Sequence, residues 1–458
     1  MSSSSFPFSS ETYTARRKKL MNQVGSGKIL LLGNTTIGMN YKDNYYKFRQ
    51  DSTFLYYIGI NLPDMNAVID VDSGETILFG NDVSIDHIVW MGDQPKLAEL
   101  GAQCGISKII EADKITEHVN KDTRHLPPYR AEHEAQIRSY LSIEKSAPSK
   151  ELILAVIAQR NIKSTEEIKC MDEAVTLTAQ MHETVMRNAK AGMKEYELVA
   201  VASQFAWQHN ARWSFTPILT KDGQTLHNHN YHNTLSKDDM ILFDGGIEGP
   251  TGYSGDMTRT FPVSGKFEGL RKDIYQIVLD AYLKSVELSK PGVYYRDVHA
   301  GACKVIASGL KTLGFLKGAV DDIVKEGAHT MFFQHGLGHM IGLDVHDMEN
   351  LGENLVGYDD TIERSKMFGY RSLRLGRELQ AGNCITIEPG IYIIPQLIDM
   401  WKAEGKYSDF INYDFLNKHR DAGGTRIEDD FVLTTNGVRQ LGEPLVNDIV
   451  GVENVRMT

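Results

Sequence analysis

Apolar residues along this chain come in short runs and in helix-spaced stripes, interleaved irregularly from end to end. GKILLLGN, Gly27 to Asn34, is an apolar run bounded by glycine, the pattern of a buried strand. NAVIDVDSGETILFG, from Asn66 to Gly80, alternates apolar and polar residues around Asp72, Ser73 and Gly74, which predicts a hairpin. After an apolar segment over 152–162, Ser164 stands three residues before Glu167, a capping box. The helix it opens carries Ile168, Met171, Val175 and Met181 at helical spacing and stops near Gly192. A second helix is predicted from about Glu268 to Ser289, ended by Pro291-Gly292, and a third through Val305 and Leu310. Strand-like runs lie between and after them: MILF before Asp244, CITI before Glu388, and RIEDDFVLT from Arg426. Helices and strands in this mixture, without regular βαβ alternation, predict an α+β fold. A boundary just before the capping box divides the chain into 1–160, itself of mixed α/β pattern, and 161–458.

Length agrees with that division, because 458 residues exceed one ordinary hydrophobic core. The composition is globular: 41% apolar residues and only 13 prolines leave no low-complexity run that would stay disordered. A formal net charge of −11 argues against nucleic acid or an anionic membrane as the main partner. No window reaches the ~18 apolar residues of a spanning helix, so no membrane is expected. The opening MSSSSFPFSS lacks a basic n-region and a long apolar h-region; it reads as a short flexible tail, not a signal peptide. Cys104, Cys170, Cys303 and Cys384 are scattered without CxxC spacing and read as reduced thiols of a cytoplasmic protein. GSGK at Gly25 to Lys28 is not a phosphate loop, which would need Gly at Asn22 and Ser or Thr at Ile29.

Candidate chemistry concentrates in the C-terminal half. HGLGHMIGLDVHD, His335 to Asp347, accompanies four acidic residues in apolar surroundings: Asp244 in LFDGG, Asp256 in YSGDMTRTF, Glu388 in TIEPGIY and Glu428 in GTRIEDD. Buried carboxylates need partners, and hard divalent ions supply them. Two metals sharing bridging carboxylates activate water for hydrolysis. Strand alternation puts Asp256, Thr258 and Thr260 on one face, and Arg426 with Glu428 on another, so Arg426 could hold the Glu428 carboxylate or a substrate group. Singly, each position is ordinary: Asp before Gly-Gly forms turns, Glu before Pro-Gly ends strands, and His346 could simply be held by Asp347. Their joint order, Asp, Asp, His, Glu, Glu, carries the weight.

That order resembles the pita-bread metallopeptidases over nearly the full chain. LFDGG, YSGDMTRTF, HGLGH, DVHD, TIEPGIY and GGTRIEDD look like the aminopeptidase P and prolidase branch, and FRQDSTFLYYIGI, Phe48 to Ile60, is similar to its creatinase-type N-terminal domain. The resemblance implies a creatinase-type α/β domain over 1–160 followed by a pita-bread catalytic domain over 161–458. It implies two divalent ions, manganese with cobalt or zinc able to substitute, held by Asp244, Asp256, His339, Glu388 and Glu428. Asp256 and Glu428 would bridge, Asp244 would serve one ion, and His339 with Glu388 the other. By the same resemblance Glu388 takes a proton from the attacking water, while His335 and His346 stabilise the oxyanion and protonate the leaving prolyl nitrogen. His227 stands where the family places a third substrate histidine, with His229 and His232 as competitors. Asp244 and Asp256 are twelve positions apart, one more than is usual in the family, which predicts a longer hairpin between their strands. The implied substrates are di- or oligopeptides with proline after the cleaved bond, and the implied assembly is a homodimer whose N-terminal domains close the neighbouring site.

The long connection IIPQLIDMWKAEGKYSDFINYDFLNKHRDAGG and the RSLRLGREL before it are more like prolidase than bacterial aminopeptidase P. Arg374 matches the arginine that prolidases use near the substrate carboxylate, so both Xaa-Pro dipeptidase and Xaa-Pro aminopeptidase stay open. A catalytically silent pita-bread binding module is the rival reading. Such relatives, like the metal-free creatine hydrolases, lose metal ligands that this chain keeps.

Overall fold

The computed structural model describes residues 7–457, so residues 1–6, most of the segment read as a flexible tail, lie outside it. Ser9 already caps a helix, Ser10–Val24, by accepting from the Thr12 amide. The chain divides into two compact units, 1–160 with 348–352, and 161–347 with 353–458.

The first unit is built on a five-stranded sheet. Its order is Lys108–Ile110, Glu75–Phe79, Asn66–Asp70, Lys28–Leu32 and Arg124–His125. The central hairpin is the one the 66–80 alternation predicts, with Asn66 opposite Phe79 and Asp70 opposite Glu75. The outer pairings are parallel. One face buries Leu30, Val68, Ile77 and Phe79 against Ile137 and Leu141. The helix Ser10–Val24 sinks two arginines. Arg17 donates to the carbonyls of Tyr57 and Cys104, each at 2.8 Å, and Arg16 to that of Tyr56 at 3.1 Å.

The second unit sets helices around short antiparallel sheets. The capping box forms: the Glu167 amide donates to the Ser164 hydroxyl, and the Ser164 amide to the Glu167 carboxylate. Its helix, Thr165–Asn188, buries Met171, Val175 and Met181 as the spacing requires. The other expected helices span Gly269–Leu288 and Tyr295–Thr312. MILF lies in the strand Met240–Gly245, between Ile218–Thr220 and Met257–Pro262. CITI is the strand Cys384–Ile387, paired to Asp429–Leu433. A ribbon of Gly390–Tyr392 with Gly424–Arg426 completes the frame that holds the site. The connection between Asp244 and Asp256 is more than a lengthened hairpin. Ile247–Glu248 leaves it to pair with Arg212–Trp213, while Asp244 and Thr258 stay opposite each other.

Two core histidines make acid stability a test of this packing. His299 and His329 are buried, and His299 Nδ1 and His329 Nε2 meet no hydrogen-bond partner among the described residues. Burial pushes them down to about 3 and about 4. An unfolded imidazole titrates near ~6.5, so their contribution is complete above that pH and drains away as pH falls toward the native values. The stability advantage of the wild type over His299→Gln should therefore shrink by about 2 kcal/mol between pH 7 and pH 5. Parallel denaturant titrations would show it; a difference independent of pH would place a solvated imidazole at 299.

Candidate active site

Strand ends deliver the acidic residues to one place. Asp244 closes Met240–Gly245, Asp256 precedes Met257–Pro262, Glu388 follows Cys384–Ile387, and Glu428 lies between Gly424–Arg426 and Asp429–Leu433. Thr258 and Glu428 bridge the two sheets through their backbones, and the Thr258 hydroxyl donates to Glu428 Oε2 at 2.6 Å. The Asp256 amide donates to Asp430 Oδ2 at 2.8 Å.

His339 enters from the loop after Leu337, where a glycine at 338 is required. A Cβ there would sit 2.2 Å from the Thr386 carbonyl oxygen. The His339 amide donates to Thr386 Oγ1, and its Nδ1 lies 3.0 Å from the Met340 carbonyl, which can only accept. Nδ1 thus carries a proton, and Nε2 is the ring nitrogen that faces the carboxylates. Nε2 stands 3.5 Å from Asp256 Oδ2 and 3.7 Å from Glu388 Oε1. Ligand atoms of Asp256, His339 and Glu428 all lie within 4.8 Å of one another.

These carboxylates are poorly compensated by the chain alone. Burial, then repulsion from Asp244, pushes Asp256 up to about 8. Burial also lifts Glu388 to about 7, with Asp256 and Asp244 adding to it against His339 and Arg426. Glu428 is held well above the carboxylate range by burial and by Asp256, Glu388 and Asp244. Asp244 Oδ1 and Asp256 Oδ1 are buried without a hydrogen-bond partner among the described residues. Acidic oxygens gathered around a single imidazole nitrogen fit a hard divalent cation in both charge and donor type.

Arg426 is the main internal counter-charge. It sits on Asp244 rather than on Glu428: Nη2 donates to Asp244 Oδ2, Nε to Thr258 Oγ1 at 3.1 Å, and Nη1 to the Tyr392 hydroxyl at 2.8 Å. Tyr392 in turn meets His335 Nε2 at 2.8 Å, while His335 Nδ1 donates to the Gly336 carbonyl at 2.7 Å. The His335 Nδ1 is also 3.6 Å from Glu388 Oε2. His346 packs edge-on against His339, ring centres 4.2 Å apart.

Of the three competing histidines, His227 lies in the field of Arg426, Asp244 and Arg374, with His229 6.5 Å away ring to ring. Arg374 acts electrostatically on His227, is about a third exposed at 34%, and donates to Glu353 Oε2 at 3.1 Å. Tyr392, Thr386 and Asp430 were not among the expected site residues. Thr258 was legible only as a member of the Asp256 strand face.

The sequence matches the family model for metallopeptidase family M24 over residues 169–435, and that for the aminopeptidase P N-terminal domain over 13–127. The chain belongs to metallopeptidase family M24. Among its M24 relatives, the Homo sapiens Xaa-Pro dipeptidase is 31% identical over 93% of this chain and 87% of that one. A probable Xaa-Pro aminopeptidase of Metarhizium robertsii is 31% identical over 94% and 92%. Zinc-substituted Escherichia coli aminopeptidase P in complex with product superposes with a TM-score of 0.81 at 28% identity, covering 98% of both chains. Proline aminopeptidase P II from Yersinia pestis gives 0.81 at 27%, covering 98% of this chain and 100% of the other. The N-terminal α/β domain followed by an M24 catalytic domain is therefore the fold of this chain, and a metallopeptidase its class.

Proposed function

We propose that this M24 metallopeptidase hydrolyses the bond before proline, in Xaa-Pro dipeptides and at the N-terminus of longer peptides. The observation that carries the reading is the convergence of Asp256, His339 and Glu428, flanked by Asp244 and Glu388, in a chain whose relatives are Xaa-Pro peptidases. The same five residues would hold two divalent ions, manganese on ligand hardness, with cobalt or zinc able to substitute. Bound there, such ions would supply Lewis acidity for a water and for the scissile carbonyl. Glu388, already raised by burial, is suited to accept the proton of the attacking water. His335 and His346 serve the oxyanion and the departing prolyl nitrogen, which carries no hydrogen in the substrate and must gain one to leave. Arg426 and Tyr392 keep the His335 imidazole in one tautomer. The rival binding module has no support from a site that keeps every expected ligand.

Three further points belong to this reading. The four cysteines are all buried and form no disulfide, and we read the protein as cytoplasmic. No helix among the described residues is long and apolar enough to cross a membrane. A homodimer is supported by the helix Ile85–Met91, which exposes Ile85, Val89 and Trp90 by 72%, 74% and 84% and buries none of its residues within this chain.

Preference for dipeptides rests on Arg374. A guanidinium beside the site gains a charge-assisted contact with the free carboxylate of Ala-Pro but only a neutral amide from Ala-Pro-Ala. Arg374→Ala should therefore lower kcat/KM for Ala-Pro about tenfold or more and spare Ala-Pro-Ala. An unchanged ratio of the two substrates would remove Arg374 from substrate selection. The broader reading is tested on the wild type with manganese, where equal hydrolysis of Ala-Ala and Ala-Pro would overturn it.

A further inference from the structure

We infer that Lys163 is a positioning residue for the reaction: its buried ion pair with Asp347 holds the loop 339–347, which carries His339 and His346, in working register. The inference rests on the peptidase reading above. Lys163 Nζ lies 2.9 Å from Asp347 Oδ2, and each side chain is 1% exposed. Neither belongs to the expected catalytic set, and Lys163 is remote in sequence from every residue that does.

Asp347 works as the clasp of the loop. Its amide donates to the Met340 carbonyl at 2.9 Å, closing the loop one residue after His339 and one after His346. Its two carboxylate oxygens have separate tasks, Oδ1 facing the Asp344 amide at 3.3 Å and Oδ2 taking Lys163. The pair presses on Gly342, where a Cβ would fall 2.6 Å from Asp347 Oδ2 and 3.0 Å from Lys163 Cε. Outside the clasp, the Ile341 amide donates to the Cys384 carbonyl and the Ser254 amide to that of Gly342, tying the loop to the segments that bear Glu388 and Asp256.

Lys163 itself is firmly rooted. Its amide donates to the Gly382 carbonyl at 2.9 Å, and the next residue is the cap Ser164 of the helix Thr165–Asn188. A charge on that anchor therefore fixes where the clasp can sit. Apolar residues in place of a buried ion pair are often as stable or more so, so stability alone gives little reason for these two charges. Direction does: a hydrocarbon pair fills the volume but offers the Asp344 amide no acceptor and the loop no fixed point. The imidazole of His346, next along the chain, is the group with most to lose.

The experiment compares Lys163→Met, Lys163→Met with Asp347→Leu, and Lys163→Arg. Each is measured for Tm, for kcat and KM on Ala-Pro with manganese, and for amide exchange over 339–347 in metal-free protein. Lys163→Met leaves Asp347 buried without its lysine and is expected to lose much stability, so the double variant decides. It should keep a Tm close to the wild type, yet lose about thirtyfold or more in kcat with KM within about threefold. Exchange over 339–347 should quicken about tenfold or more while the helix Thr165–Asn188 keeps its protection. Lys163→Arg should recover most of the loss. Wild-type kcat and exchange in the double variant would overturn the inference, as would a fall in Tm with kcat unchanged well below it. Should the wild type cleave no Xaa-Pro peptide, the proposed function falls, and exchange over 339–347 still decides whether Lys163 orders the loop.

Discussion

Asp256→Asn should strip the protein of most of its divalent metal and reduce hydrolysis of Ala-Pro by about a thousandfold or more. The size follows from position. Asp256 is 4% exposed, faces His339 Nε2 through Oδ2, and has a second buried oxygen without a hydrogen-bond partner among the described residues. An amide keeps the shape but removes one negative charge and turns an NH2 toward the cation or toward His339. In the two-ion centre proposed above, each ion would then be held more weakly. Losing several kcal/mol of charge stabilisation in the transition state amounts to roughly three powers of ten in rate. Elemental analysis and turnover with added manganese are both needed. A variant that binds wild-type metal and retains a tenth of wild-type kcat would show that Asp256 is not a shared ligand.

Arg426→Lys should be nearly as damaging although it conserves charge. Arg426 is buried and spends three nitrogens on three different residues, Thr258, Tyr392 and Asp244. A lysine ammonium is a point charge on a flexible stem and cannot reproduce that fork. Whichever partner it keeps, it abandons Tyr392, and with it the tautomer of His335, or Asp244, whose carboxylate then stays buried without its cation. Removing one partner of a buried pair typically costs ~3–5 kcal/mol, part of which the retained charge offsets. A loss of about a hundredfold in kcat/KM with a lowered Tm is expected. Activity within threefold of wild type would reduce the Asp244–Arg426–Tyr392–His335 chain to simple charge balance.

Much of this frame was readable because its signals are local. Ser164 and Glu167 announce a helix start within four residues, and MILF and CITI end where Asp244 and Glu388 must project. The acidic set was read from the joint order of Asp244, Asp256, His339, Glu388 and Glu428, since each position alone has an ordinary turn or strand-end explanation. What escaped depends on contacts between distant segments. Tyr392 reads as one more apolar strand residue, and only the fold brings its hydroxyl between Arg426 and His335. A lysine just before a helix cap, like Lys163, has every appearance of a surface residue. Two adjacent arginines at 16 and 17 suggest solvent, yet the carbonyls that bury them come from 56, 57, 104 and 105. Strand alternation put Arg426 and Glu428 on one face, but the strand ends at Arg426 and the guanidinium turns to Asp244 instead.

The connection between Glu388 and Glu428 leaves and returns at one point. Tyr392 faces Gly424 across the ribbon, and the Ile393 amide donates to the Gly423 carbonyl, so the segment 393–423 is pinched shut at its base. Beyond the pinch it forms its own short helices, Pro395–Ala403 and Tyr413–Asn417, and rests on Phe315 and Leu316. Closing a loop costs entropy only as the logarithm of its length, so chain can be added or removed outside such a pinch with little effect on what it closes. A lineage can therefore lengthen, trim or redecorate this segment while Glu388 and Glu428 keep their register. The ribbon that positions Glu388 and Glu428 and the segment it closes off are thus two separately variable parts of one hairpin.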